Sequence, residues 1–307
     1  MKIIEPSAKL VTGYEDKPEE LIELCGRICY GSQDKIAPGT AQKFCEMLRK
    51  NGHTSVFEHA NFIFEVPVST YAKVAGASGI YEVKTGKNAY IHKTSCTYVS
   101  GNARAWLDII ETLGDINLAN RIPQGILDVL NKHESIFADI ADVEGAANCF
   151  ARQVFPEELP ENVRERHTTA TFLVTRDRGI SHELVRHRVA SFSQQSTRYC
   201  KANKNGEIEV IKPSELKIPD EDFMKSVSDV DEYYEGLTEC AKIPPQTARY
   251  VLPTCLATKL YMTMTLERWR DFIKLRTSLA AHPDMRVIAE QIQRQLFPDE
   301  IGDSNAD

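Results

Sequence analysis

Apolar residues along this chain switch between helical and strand spacing. Leu21, Leu24, Cys25 and Ile28 recur every three or four positions and predict a helix ending near Tyr30. Asp16 is its expected N-cap acceptor, and Pro18 falls in its first turn. Thr40 opens a second helix with Phe44, Met47 and Leu48 on one face, ending near Asn51 and Gly52. Phe62, Phe64 and Val66 then alternate, which predicts a strand closed by Pro67. Farther along, "HTTATFLVT" (167–175) and "CLATKLYMTMT" (255–265) read as strands. "RGISHELVRHR" (178–188) reads as helix, with Ile180, Leu184 and His187 on one face. "VASFSQQSTRY" (189–199) holds too many Ser, Thr and Gln for a helix interior and is expected as an ordered loop or frayed helix end. An acidic helix follows over about 219–242, and prolines stop the chain twice within "KIPPQTARYVLPT". Thr265 can cap a helix over "LERWRDFIKLR", and "DMRVIAEQIQRQL" closes the fold.

Residues 76–165 differ from their flanks. "GASGIYEVKTGKNAY" (76–90) is loop-like. "GNARAWLDIIETLG" (101–114) is a helix, with Trp106, Ile109 and Ile110 at helical spacing and Gly114 at its end. A weaker helical pattern covers roughly 123–150, and "VFPEELPENV" is a proline-rich connector. Strands and helices mix without a β-α-β rhythm. Neither G-x-G-x-x-G after a strand nor a Walker sequence is present, so the expected class is α/β of the mixed α+β kind, with no Rossmann or P-loop device.

Charge changes the picture. The 307-residue chain carries a formal net charge of −7, yet residues 164–201 hold eight Lys or Arg against three Asp or Glu. An acidic chain is a poor nonspecific nucleic-acid binder, because that affinity needs many phosphate contacts. A compact basic cluster suits small anionic ligands such as nucleotides; the bland alternative is a salt-bridged solvent-facing helix. The start "MKIIEPSAKL" has no apolar core of a signal peptide, and no stretch approaches the roughly 20 apolar residues of a membrane span. The eight cysteines form no C-x-x-C pair, and Cys25 and Cys29 fall beside apolar helix positions, where core packing is expected. A reduced, cytoplasmic protein is expected.

The basic cluster offers specific chemistry. Arg186 and Arg188 supply planar forks suited to phosphates and carbonyl pairs, and on a helix they point to different sides. His187 adds a switchable donor or acceptor, and Ser196 and Arg198 return on the following segment. "GHTSVFEH" packs His53, Thr54, Ser55, Glu58 and His59 together; its spacing fits no common zinc pattern, and hydrogen bonding at a helix-to-strand junction is the plainer reading. A Ser-His-Asp hydrolase through Ser196 lacks the G-x-S-x-G elbow.

Four ordered segments carry a resemblance. "RHRVASFSQQS" looks like the R-H-R-x7-S signature of flavin-dependent thymidylate synthases. "GHTSVFEH", "ARYVLP" and "DFIKLRTSLAAH" resemble further segments of that family, so the likeness covers about 16–75 and 165–297. It implies one such domain over 1–307 with a family-atypical helical insertion at about 76–165. It also implies the reductive methylation of dUMP to dTMP with FAD as cofactor and methylenetetrahydrofolate and NADPH as co-substrates. A homotetramer with shared active sites is expected, without nucleic acid, membrane or metal. Carried over by position, dUMP would meet Glu183, Leu184, Val185, Arg186, Gln194, Gln195, Ser196, Thr197, Arg198, Arg249 and Arg276. FAD would meet Arg186, His187, Arg188, Gln194, Glu58, Thr265, Glu267, Asp271 and His282, with Ser55 reaching its phosphates from a neighbouring subunit. Arg276 would be the catalytic group, favouring ionised N3 of the uracil and so a more nucleophilic C5. Ser196 would bind and polarise dUMP, not attack it. Gln194, Glu183, Thr265 and Asp271 depart from the residues common in the family. The alternatives are a non-catalytic nucleotide- or flavin-binding relative and a single-strand nucleic-acid binder. The latter wants interleaved exposed aromatics, for which only Phe192 and Tyr199 qualify locally.

Overall fold

A computed structural model describes residues 1–66, 91–94, 98–114, 122–137, 151–203 and 206–300. The loop-like 76–90 and the far part of the helical pattern at 123–150 lie outside the described residues. The first part runs β1 (Lys2–Ile3), β2 (Ser7–Val11), α1 (Pro18–Ile28), α2 (Thr40–Lys50), a 3-10 segment at Thr54–His59 and β3 (Asn61–Glu65). Then come β4 (Ile91–Thr94), β5 (Tyr98–Asn102), α3 (Ala103–Gly114), α4 (Gln124–Leu130), α5 (Glu134–Phe137), β6 (Arg152–Gln153) and α6 (Glu161–His167). The last part holds β7 (Thr169–Asp177), α7 (Arg178–Leu184), β8 (Ser191–Gln194), β9 (Glu209–Val210), α8 (Asp220–Glu235), α9 (Pro245–Ala248), β10 (Ala257–Thr265), α10 (Leu266–Arg276) and α11 (Pro283–Leu296). No helix among the described residues is long and apolar enough to cross a membrane. Helices and mostly antiparallel sheets mix throughout, as expected for an α+β arrangement.

The central sheet has the order β2-β7-β10-β8, all antiparallel. Its axis is a nine-residue ladder from Thr169 opposite Thr265 to Asp177 opposite Ala257. Phe172, Val174, Leu260 and Met262 pack with Trp269, Phe272, Met285, Ile288 and Ile292 of α10 and α11. Burying each such side chain stabilises by about 1.5–3 kcal/mol. The other face of the ladder is covered too: Tyr261 joins the core of α1 and α2. Thr171 Oγ1 bonds Thr263 Oγ1 at 2.7 Å, and Thr263 Oγ1 bonds His59 Nδ1 at 2.7 Å. His59 Nε2 completes the chain at 2.9 Å from Ser193 Oγ. Full burial lowers the His59 pKa to about 3, so the ring is neutral and both its nitrogens tie sheet to 3-10 segment. At His59 this is the hydrogen-bonding reading of "GHTSVFEH".

Three local expectations are corrected. Asp16 does not cap α1: Lys17 is the N-cap residue and makes no side-chain bond, while Pro18 at the first position removes one of the amides needing a partner. Met47 is 38% exposed, because α2 buries Ala41, Phe44, Cys45 and Leu48 and leaves Met47 on the flank. Residues 191–194 form strand β8, paired from Leu260↔Gln194 to Thr263↔Ser191. Its inward row, Ser191 and Ser193, is polar because it meets polar partners such as His59. An apolar alternation was therefore absent from the sequence.

The segment between β5 and α5 shares its core with the rest. Ala103, Ala105, Trp106, Leu107, Ile126 and Phe137 are buried with Ile22, Cys25, Phe44, Leu48 and Phe64 in one cluster. β3 and β5 pair from Asn61↔Asn102 to Glu65↔Tyr98 in a second sheet ordered β4-β5-β3-β6.

Candidate active site

Asp177 accepts the Ile180 amide at 3.0 Å and so starts α7. The helix ends at Leu184, short of the predicted Arg188, and Val185 is its C-cap residue. Two tight turns follow, closed by Arg186 N to Glu183 O at 3.2 Å and Ala190 N to His187 O at 3.1 Å. Arg186 and Arg188 therefore lie beyond the helix, both exposed. His187 is half-buried, its ring edge-on to Phe272 with centroids 5.3 Å apart. Burial first, then neighbouring Arg276, lowers the His187 pKa and keeps the ring neutral. Arg276, at the end of α10, has Nη1 3.8 Å from Glu183 Oε2. Leu184 is fully buried in the sheet-helix core, so it offers a ligand only its backbone.

On the far side of α7, Gln194 Nε2 donates to Ser181 Oγ at 3.0 Å and to Thr258 Oγ1 at 3.3 Å. Gln195 O accepts from Arg178 Nη2 at 3.0 Å, and Ser196 Oγ accepts the Arg198 amide at 3.1 Å. Arg198 lies over the Tyr199 ring at 5.3 Å, and Tyr199 packs on Tyr30, which bonds His53 Nδ1 at 3.3 Å. Arg178, Gln195, Ser196 and Thr197 line a cavity of about 90 Å³. Arg249 follows α9 and is close enough to Arg178 that, after burial, its charge lowers the Arg178 pKa.

Sequence reasoning gave Arg178 no role, although it stands within the basic stretch. Among the described residues, Arg178, Arg186, Arg188, Arg198 and Arg249 have no ion pair, whereas Arg104, Arg152, Arg166 and Arg270 all do. Arg178 Nε, His187 Nε2 and Arg276 Nε are buried nitrogens without a hydrogen-bond partner. Unpaired charge and unspent donors on both sides of α7 fit ligands rich in anionic and carbonyl oxygens.

The residues expected at the flavin divide differently. Glu58 and Thr265 share a cavity of about 50 Å³ with Asn61, Asn102, Ser191 and Arg268. Thr265 also caps α10, accepting the Arg268 amide at 3.4 Å. The Glu58 side chain is nearly buried, and its Oε1 lies 2.7 Å from Arg104 Nη1. Burial raises the Glu58 pKa, and Arg104 opposes that rise without cancelling it. Glu267 is held by Arg166 at 2.9 Å and Asp271 by Arg268 at 3.2 Å. His282 caps α11, accepting the Asp284 amide at 3.2 Å. Ser55 is exposed. Thus Glu58 and Thr265 come together, while Glu267, Asp271 and His282 have local structural partners. A larger cavity than either, about 380 Å³, lies elsewhere and includes Tyr14, Phe62, Phe155, Glu15, Asp16 and Glu157 in its lining. Its carboxylates make it a poor phosphate site, so the arginine region remains the better candidate.

A family model described as thymidylate synthase complementing protein matches residues 10–73 and 151–298. A flavin-dependent thymidylate synthase from Thermococcus onnurineus is 34% identical over 139 residues, 44% of this chain and 56% of that protein. One from Saccharolobus solfataricus is 35% identical over 131 residues, 42% of this chain and 50% of that protein. The chain thus spans about half the length of the curated relatives it matches. A solved thymidylate synthase X from Helicobacter pylori with FAD and dUMP shares 23% identity over 45% of this chain and 75% of that one, with a TM-score of 0.37.

Proposed function

The chain belongs to the thymidylate synthase complementing protein family, and from that premise we propose that it is a flavin-dependent thymidylate synthase. It would methylate dUMP reductively to dTMP, with methylenetetrahydrofolate supplying the carbon, NADPH the reducing equivalents and FAD the redox cofactor. The observation that carries this reading is the set of arginines without ion pairs, Arg178, Arg186, Arg188, Arg198 and Arg249, in a chain of net charge −7. The buried Nε atoms of Arg178 and Arg276 add unspent donors to it.

The residues present fit both ligands. Arg186, His187 and Arg188 would face FAD, whose bound form supplies the hydride-carrying centre. Gln195, Ser196, Thr197, Arg198 and Arg249 would hold dUMP, with Glu183 and Arg276 at the base. Ser196 lends its hydroxyl as a contact; its Oγ accepts a backbone amide, which suits binding better than attack. Ser55 is exposed, in keeping with a contact across subunits of a shared-site tetramer. The protein as purified should show a flavin absorbance band and form dTMP from dUMP when methylenetetrahydrofolate and NADPH are added. Absence of both flavin and dTMP would reject the reading; flavin with no dTMP would favour a non-catalytic relative.

Within this reading, Arg198→Ala should weaken dUMP about ten- to a hundredfold and FAD far less, since it removes one charge-assisted contact. Arg198 is exposed and unpaired, so the fold should survive. Titration calorimetry with each ligand checks the split; equal losses would contradict it.

A further inference from the structure

We propose that Arg104, carried by the segment between the two family-matched stretches, is a positioning residue of the candidate cofactor site. It holds the Glu58 carboxylate at the polar cavity, ready to accept hydrogen bonds from a hydroxyl- or amide-bearing cofactor. The cofactor's identity as FAD rests on the function proposed above; the Arg104–Glu58 pairing does not.

Arg104 lies in residues 74–150, which the family model leaves unmatched. Its position is well determined. Ala103 N donates to Ala60 O at 2.8 Å, joining the start of α3 to the end of the 3-10 segment that carries Glu58. Asn102 Oδ1 accepts the Ala105 amide at 2.8 Å, and Ala103, Ala105 and Trp106 are buried around Arg104. Arg104 Nη1 then meets Glu58 Oε1 at 2.7 Å, with each side chain only 9% exposed. A carboxylate this enclosed is costly unless paired and hydrogen-bonded.

The Ser191 hydroxyl also favours the ionised form of Glu58, and both residues line the cavity of about 50 Å³. The insertion contributes Asn102 to the same cavity, and α10 contributes Arg268. The charged groups around Glu58 are therefore Arg104 and, more distantly, Asp108 from α3, with Arg268 across the cavity. Asp108 Oδ2 sits 4.0 Å from Arg104 Nε. His59, next in the chain, is neutral. Arg104 is the favourable charge in contact with Glu58, and it comes from the insertion.

The test uses the full-length protein with ¹³C-labelled glutamate, Glu58 being assigned by its loss in Glu58→Gln. Arg104→Met should move the Glu58 titration upward by about one pH unit or more, and Arg104→Lys should recover part of that shift. Melting temperature gives a second readout. A carboxyl whose folded pKa is raised favours the folded state when protonated and loses that advantage as pH rises through it. The deficit of Arg104→Met should thus grow from acid to neutral pH and shrink in the Arg104→Met/Glu58→Gln double variant. A deficit independent of pH and unrelieved by Glu58→Gln would show mere packing and overturn the proposal, as would an unmoved Glu58 titration. Fluorescence titration with FAD should show about tenfold or greater weakening in Arg104→Met at neutral pH. Equal affinity in wild type and variant would remove Arg104 from the site. Failure of the wild type to bind FAD would sink the functional proposal instead, while the titration and melting data still decide the pairing.

Discussion

Arg276→Lys should fold, retain its flavin and accept hydride from NADPH, yet lose about a hundredfold or more of its dTMP formation at saturating dUMP. On the proposed function, Arg276 stands at the uracil edge, where negative charge develops before C5 attacks. Its rigidity comes from α10: Trp269, Phe272 and Ile273 are buried, and Thr277 closes the helix with its amide and hydroxyl both on Ile273 O, at 2.9 and 2.8 Å. Nη1 is steadied by Glu183 at 3.8 Å, and the buried Nε has no other hydrogen bond. Lysine keeps the charge but offers no planar fork, and one misplaced preorganised donor costs about 3–4 kcal/mol in turnover. Flavin reduction needs no uracil activation and should persist. Stopped-flow flavin reduction and dTMP yield, measured on one preparation, separate the outcomes. Near-normal dTMP turnover would remove Arg276 from catalysis, and a parallel collapse of flavin reduction would reassign it to the cofactor.

The largest stability loss is expected at Asp284→Ala. Arg176 is 1% exposed within β7, with Nη2 2.6 Å from Asp284 Oδ1 and Nε 3.4 Å from Asp177 Oδ2. Asp284 also accepts the Ser214 amide, at 3.1 Å to one oxygen. Removing it leaves a buried guanidinium with one distant partner, a change that costs about 3–5 kcal/mol. Burial pushes the Asp284 pKa up, but Arg176 and Ser214 outweigh it and the net shift is downward. The unfolded carboxyl titrates near ~3.9, so the stabilisation is fully present above that value and is lost as pH falls through the lower folded pKa. Urea unfolding should therefore show a large wild-type advantage over Asp284→Ala at pH 7 that narrows in strong acid. A deficit below about 1 kcal/mol at pH 7 would contradict the pairing, since surface ion pairs already contribute that much.

Much of this was legible locally. α1, α2, α3, α10 and α11 appeared as three- and four-residue spacing, and β7 and β10 as β-branched and aromatic runs between breakers. Thr265 was readable as a cap because the amide it accepts from lies three residues away. The pattern misled where the buried face is polar. Ser191 and Ser193 sit inside β8, and serines in a row look like loop until their partners are known. It misled again at α7, where helical spacing continued into the turns that carry Arg186 and Arg188.

The site divides the same way. The local surplus of arginine over carboxylate pointed to an anion-binding region from residue order alone, and the R-H-R-x7-S spacing carried the family resemblance. Which arginines stay unpaired was decided by folding: Arg166 meets Glu267 across 101 positions, whereas among the described residues Arg178 meets only backbone and like charge. Glu58 was nominated by its motif, but Arg104, 46 positions later, was not. Likewise the neutrality of His59 comes from its full burial, and its ring is held by Ser193 and Thr263, 134 and 204 positions away. Spacing within a few residues determined elements and candidate chemistry, because backbone periodicity and local hydrogen bonds act over that range. Charge state, partners and access were left to the tertiary structure, because they depend on burial and on atoms brought together from distant segments.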